Sequence, residues 1–198
     1  MTNFWDIVRC IPLTTIEIRW HGRGGQGVVT ANELLAGAAL KEGKFIKAFP
    51  EFGPERMGAP IRAFTRLSDD PIMVHSQVYY PDMVVVLDPT LLKQINVLEG
   101  LKESGSFIAN YADGREHLAH ILGKNDNIYS VNASKIAMDE IGRPTANTAM
   151  LGAVVKVLNF VSLKSVLEEL ESKFSGKFSK EVVEKNKRAV QRAYEEVA

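Results

Sequence analysis

Residues 22–27 read Gly-Arg-Gly-Gly-Gln-Gly, and no other stretch of the chain gathers so many groups able to hold an anion. Gly22, Gly24 and Gly27 meet the spacing G-x-G-x-x-G. Glycine is required in that pattern because a side chain would block the tight turn or keep a phosphate away from the backbone amides. Arg23 adds a guanidinium and Gln26 a carboxamide, so Gly22, Arg23, Gly24, Gly25, Gln26 and Gly27 are the candidate contacts for a phosphate or a partner surface. Arg56 is a further candidate cation, in PEFGPERMGAP, where Pro50, Pro54 and Pro60 restrict the backbone and lower the entropy cost of presenting it. Glu51 and Glu55 lie close enough in sequence to pair with Arg56. No Gly-Lys-Ser/Thr follows residues 22–27, which excludes a Walker loop.

A phosphate loop works at the junction of a strand and a helix, where the helix N-terminus adds its own unpaired amides. Ile16, Ile18 and Trp20 alternate with Glu17 and Arg19, the period of a strand buried on one face only. Val28 to about Lys41 is rich in alanine and leucine and reads as a helix that Gly43 ends. KFIKAF is a second strand. IRAFTRL and IMVHSQV alternate on either side of the turn residues SDDP and read as an antiparallel hairpin. MVVVLD is a continuous apolar run, as expected of a central parallel strand. Beyond it PTLLKQINVLEGL, GREHLAHIL and ASKIAMDEI read as helices and SFIANY and NIYSVN as strands, the rhythm of βα units. After about residue 144 three helices follow without a strand, two of them opening on a serine N-cap. The fold class is α/β: a three-layer α/β/α arrangement around a Rossmann-like mixed sheet, with an antiparallel hairpin and a helical C-terminus. A single domain over residues 15–198 is expected, preceded by a leader, residues 1–14, of unknown role.

Three features argue against a nicotinamide dinucleotide in the loop. The preceding strand is only half apolar. The acid expected ~20 residues further on would be Glu51, which follows Pro50 in an irregular loop. Gly25 makes the loop one glycine richer than the pattern needs. A ligand-free strand-to-helix turn remains the alternative reading.

Lysine plus arginine equal aspartate plus glutamate at 24 each, so no long-range field draws nucleic acid or an anionic membrane. Apolar runs such as AMLGAVV fall far short of the ~20 residues that span a bilayer, and the N-terminus lacks the pattern of a signal peptide, so the cytoplasm is the expected location. The single cysteine, Cys10, cannot supply the set of thiolates an iron-sulfur cluster takes. His21 and His75 have no second ligand at metal-binding spacing and read as ordinary. Asp88, in LDPT, reads as a helix cap, and Asn147 and Thr148 as caps for the helix from about Ala146.

Taken together, IRWHGRGGQGVVTANELLAGAAL, FPEFGPERMGAPIRAFTRLSDDPI, PDMVVVLDPTLL and NTAMLGAVVK, in that order over residues 16 to about 160, resemble the gamma subunits of the 2-oxoacid:ferredoxin oxidoreductases, most closely those acting on pyruvate. Met57, Gly58, Ala59 and Pro60 are similar to the pyruvate and branched-chain branch rather than the 2-oxoglutarate branch. The resemblance implies one subunit of an alpha, beta, gamma, delta assembly that turns pyruvate, coenzyme A and oxidised ferredoxin into acetyl-CoA, carbon dioxide and reduced ferredoxin. It implies that thiamine diphosphate, magnesium and 4Fe-4S clusters belong to the other subunits, and that this chain has no catalytic residue or metal ligand of its own. Its share is then packing surface and part of the coenzyme A site. A gamma subunit for a branched-chain 2-oxoacid, a stand-alone Rossmann-like dinucleotide-binding protein and a ligand-free interaction module are the alternatives.

Overall fold

Alternation and apolar runs sort the chain into six strands: β1 (Ile16–Arg23), β2 (Phe45–Pro50), β3 (Pro60–Ser68), β4 (Met83–Val86), β5 (Ser106–Asn110) and β6 (Ile128–Val131). The computed structural model describes residues 15–51 and 57–198, so the leader with Cys10, and Arg56 and Glu55, lie outside the described residues. One sheet runs in the order β2-β3-β1-β4-β5-β6. β1, β4, β5 and β6 are parallel neighbours, while β3 is antiparallel to both β1 and β2. MVVVLD is central, as its unbroken apolar run requires.

Helices α1 (Val28–Lys41), α2 (Gly114–Leu122), α3 (Ala133–Ile141), α4 (Asn147–Leu158), α5 (Leu163–Phe174) and α6 (Lys180–Glu196) complete the fold. Ile18, Trp20, Val85 and Ile108 meet α1, α3, α4, α5 and α6 on one face of the sheet. Val84, Val86, Phe107 and Ile128 meet Leu91, Val97 and α2 on the other. The three C-terminal helices therefore flank the sheet. Ser162 and Ser179 cap α5 and α6 by accepting from the Ser165 and Val182 amides, as the sequence predicts.

Four readings of the sequence are corrected. IMVHSQV is not a strand: Arg66, 1% exposed, donates to the Ser76 and Gln77 carbonyls and pairs with Glu17, so these carbonyls are taken by a side chain instead of a ladder. IRAFTRL pairs instead with β1 and β2. PTLLKQINVLEGL holds only a short 3-10 helix, Pro89–Lys93. Finally, β1 is buried on both faces, because Arg19 and His21 lie under the chain that carries Val97 and Glu99 and are buried despite being polar. A half-polar period marks a half-exposed strand only where nothing polar covers it.

Gly152 lets α4 and α6 touch, since a Cβ there would collide with the Val190 carbonyl. Gly43 has a left-handed φ of 77° but open space around it. Gly152→Ala is expected to cost about 2 kcal/mol or more through overpacking, and Gly43→Ala about 1 kcal/mol through backbone strain. Denaturant unfolding of the two variants checks the order, and a larger loss at Gly43 would contradict it.

Candidate functional site

The glycine loop leaves β1 at its C-terminal end and enters α1. Gly27 is the helix N-cap in the left-handed region, φ 77°, and no side chain caps the first turn. A Cβ at Gly27 would also run into the side chain of Asn147, which packs on the loop from the start of α4. Glycine is thus needed at 27 for both conformation and space. Asn147 and Thr148 are not caps. Thr148 is buried and donates to Asn186 Oδ1 of α6 at 3.0 Å, which ties the two helices together.

Two of the candidate contacts turn inward. Arg23 donates through Nε to Asp88 Oδ2 (3.0 Å), through Nη1 to the Gly58 carbonyl (3.1 Å), and through Nη2 to Thr90 Oγ1 and Gln94 Oε1 (2.7 and 2.8 Å). Gln26 donates to Asp88 Oδ2 at 2.6 Å and accepts the Arg23 amide at 2.8 Å. Asp88 also accepts the Thr90 amide and hydroxyl on Oδ1, so it is the cap the sequence predicts and a brace for the loop as well. Burial pushes its carboxyl up, but the hydrogen bonds from Thr90 and Gln26 and the charge of Arg23 outweigh burial and hold it below the usual aspartate range. The Gly24 amide bonds to the Ala59 carbonyl and the Gly58 amide to the Gly24 carbonyl, which fastens the end of the proline-rich loop to the glycine loop.

With the side chains spent, the backbone is what remains. The Gly25 and Gly27 amides have no hydrogen-bond acceptor among the described residues, and α1 begins without a side-chain cap. Gly25 borders a cleft of about 610 Å³ whose walls also include Gln26, Thr90, Asn110, Ser134 and Arg143. The cleft opens at the C-terminal ends of β1, β4 and β5, where ligands bind in open α/β sheets. Asn110 is held by the Leu87 carbonyl (2.9 Å) and by Ser134 (2.8 Å). Arg143 is exposed and pairs with no carboxylate among the described residues. Sequence reasoning missed it, because a lone arginine before Pro144 carries no spacing signal and only the fold brings it to the glycine loop.

Glu51 closes β2 but lies away from this cleft, since β3 is inserted between β2 and β1. Its carboxylate pairs with Arg62 through both oxygens; the expected pairing with Arg56 falls outside the described residues. His75 is exposed beside Lys47. His21, read as ordinary, is inside β1 and 2% exposed, and burial, then the charges of Arg19 and Arg62, lower its pKa to about 3. Among the described residues no group of three or more His, Cys, Asp or Glu could hold a metal, and no helix is long and apolar enough to cross a membrane.

The folded-state pKa of Asp88 lies below the 3.8 of an unperturbed aspartate, so its stabilisation is complete above that value and is lost as pH falls through the folded pKa. Asp88→Asn is expected to cost about 1–3 kcal/mol at pH 7 and to weaken the acid-side loss of stability. Denaturant unfolding at neutral and at acid pH measures both effects, and an unchanged acid-side slope in the variant would contradict this role.

Residues 17–196 match the pyruvate ferredoxin/flavodoxin oxidoreductase family. The chain is 49% identical over 181 residues to the pyruvate synthase subunit PorC of Thermotoga maritima, a match that covers 91% of this chain and 94% of that one. It is also 49% identical over 180 residues to the pyruvate/ketoisovalerate oxidoreductases common subunit gamma of Thermococcus kodakarensis, covering 90% and 95%. The crystal structure of the pyruvate oxidoreductase subunit PORC of Thermotoga maritima is similar with a TM-score of 0.82 at 44% identity, covering 93% of this chain and 97% of that one. The chain belongs to the pyruvate ferredoxin/flavodoxin oxidoreductase family and is of its gamma-subunit type.

Proposed function

We propose that the chain serves as the gamma subunit of an alpha, beta, gamma, delta assembly that oxidatively decarboxylates pyruvate with coenzyme A and ferredoxin. Its own part is to hold the phosphates of coenzyme A in the glycine-loop cleft while its surface packs against the other subunits. One observation carries the second half: the Gly25 amide, which meets no acceptor among the described residues and lies just before the uncapped start of α1, shares a cleft with the exposed guanidinium of Arg143. Backbone donors, a helix N-terminus and an arginine are the combination that suits a phosphate. Gly22, Arg23, Gly24 and Gln26 act here by shaping the loop, and Arg56 remains a candidate for the same anion.

Thiamine diphosphate with magnesium, and 4Fe-4S clusters, would supply carbon–carbon cleavage and electron transfer from the other subunits. A single cysteine leaves this chain short of the thiolates a cluster takes. Pyruvate is the substrate favoured by the Thermotoga relative's name, and the Thermococcus name keeps a branched-chain 2-oxoacid as the second reading. A stand-alone dinucleotide enzyme is disfavoured by β3, which carries the acid at the end of β2 away from the loop. A cytoplasmic location belongs to the same proposal.

In the reconstituted complex, Arg143→Gln is expected to raise KM for coenzyme A about tenfold, the worth of one charge-assisted phosphate contact. Its kcat at saturation and its subunit stoichiometry should stay unchanged. An unaltered KM rejects the coenzyme A role, and loss of assembly reassigns the residue to an interface. NADH fluorescence should not change on adding the isolated chain; tight binding there would favour the dinucleotide reading.

A further inference from the structure

The face of β1 that carries Arg19 and His21 differs from the rest of its layer. The parallel neighbours of these residues on β4 are Val84 and Val86, both packed in an apolar cluster, whereas β1 buries a guanidinium and an imidazole at the same level. Apolar side chains would serve the fold there at lower desolvation cost.

Arg19 fixes the imidazole. Its Nε donates to His21 Nε2 at 3.1 Å, while Nη2 donates to the Val97 carbonyl at 3.2 Å and to the Glu99 carbonyl. A guanidinium only donates, so Nε2 carries the lone pair and the proton of the neutral ring sits on Nδ1. That Nδ1–H is buried without a hydrogen-bond partner among the described residues. Leaving a buried donor unmet is costly, and a group that accepts it recovers the loss.

His21 lines a cavity of about 540 Å³ with Arg19, Arg62, Asn96, Ile61 and Ile95. Arg62 stands opposite His21 on β3 and gives Nε and Nη2 to Glu51. The Nη1 groups of Arg19 and Arg62 meet no acceptor among the described residues. Asn96 spends its oxygen on the Leu98 amide and keeps its Nδ2. Of the lining carboxylates, Glu51 is taken by Arg62, and Glu99 is exposed at the rim. The cavity is therefore rich in donors, with Ala59, Pro60 and Ile95 as apolar lining. The ligand that matches has an acceptor-only anionic head on a short apolar stem.

We propose that this cavity is a second binding site, separate from the glycine-loop cleft, for a carboxylate carried on a short aliphatic stem. The carboxylate comes either from a free small monocarboxylic acid or from an acidic side chain or C-terminus of another chain in the assembly. The site does not depend on the coenzyme A reading.

The test follows the ring nitrogens of His21 by NMR in the full chain, with labelled histidine, as propionate is added. A saturable shift of the Nδ1 signal is expected, weakened about tenfold in Arg62→Gln and unchanged in Arg143→Gln, which alters only the other cleft. No saturable shift overturns the proposal, as does an equal shift with chloride. The same titration in the reconstituted complex then separates the sources. Retained binding identifies a free acid, and loss of binding identifies a carboxylate of a neighbouring chain already seated in the cavity.

Discussion

One carboxylate, that of Asp88, decides what the glycine loop can do. It stands just past β4, beside β1, and accepts the Thr90 amide and hydroxyl on one oxygen and Arg23 and Gln26 on the other. The Leu87 amide extends the β1–β4 pairing by bonding to the His21 carbonyl at 2.8 Å, so the brace stands on a continuous ladder. With the two polar side chains of the loop consumed, the loop offers its backbone to a ligand. Donors already fixed by the fold need no reordering when an anion arrives, which is the advantage of a preorganised site.

The second constraint is β3. Its antiparallel insertion between β1 and β2 separates the glycine loop from the acid at the end of β2, so the loop is cut off from the partner a dinucleotide ribose needs. The same insertion brings arginines 62 and 66 onto the sheet face that already holds Arg19 and His21. Arg66 then holds the strandless segment through Ser76 and Gln77, and Arg62 faces the second cavity. One topological change thus removes one chemistry and builds the setting for another.

Much of this is legible in the sequence. Each parallel strand, the helix after the glycine loop, the capping serines and the position of Asp88 follow from period, composition and turn chemistry. What is not legible depends on contacts distant in sequence. Alternation in IMVHSQV resembles a strand because local pattern carries no information about Arg66 taking its carbonyls. Glu17 and Arg19 read as a solvent face because only the folded chain brings Val97 and Glu99 over Arg19. Thr148 looks like a cap until Asn186, 38 residues away, supplies its partner. Arg23 and Gln26 look like ligand contacts because their acceptor, Asp88, lies more than 60 residues downstream.

The central claim is that the backbone of the glycine loop, together with Arg143, receives coenzyme A. The most direct measurement is the density of coenzyme A in the assembled complex by cryo-electron microscopy. The account predicts phosphate oxygens within hydrogen-bonding distance of the Gly25 or Gly27 amide and of the Arg143 guanidinium. Coenzyme A held elsewhere, with a neighbouring subunit packed directly over Gly25 and Gly27, would contradict it.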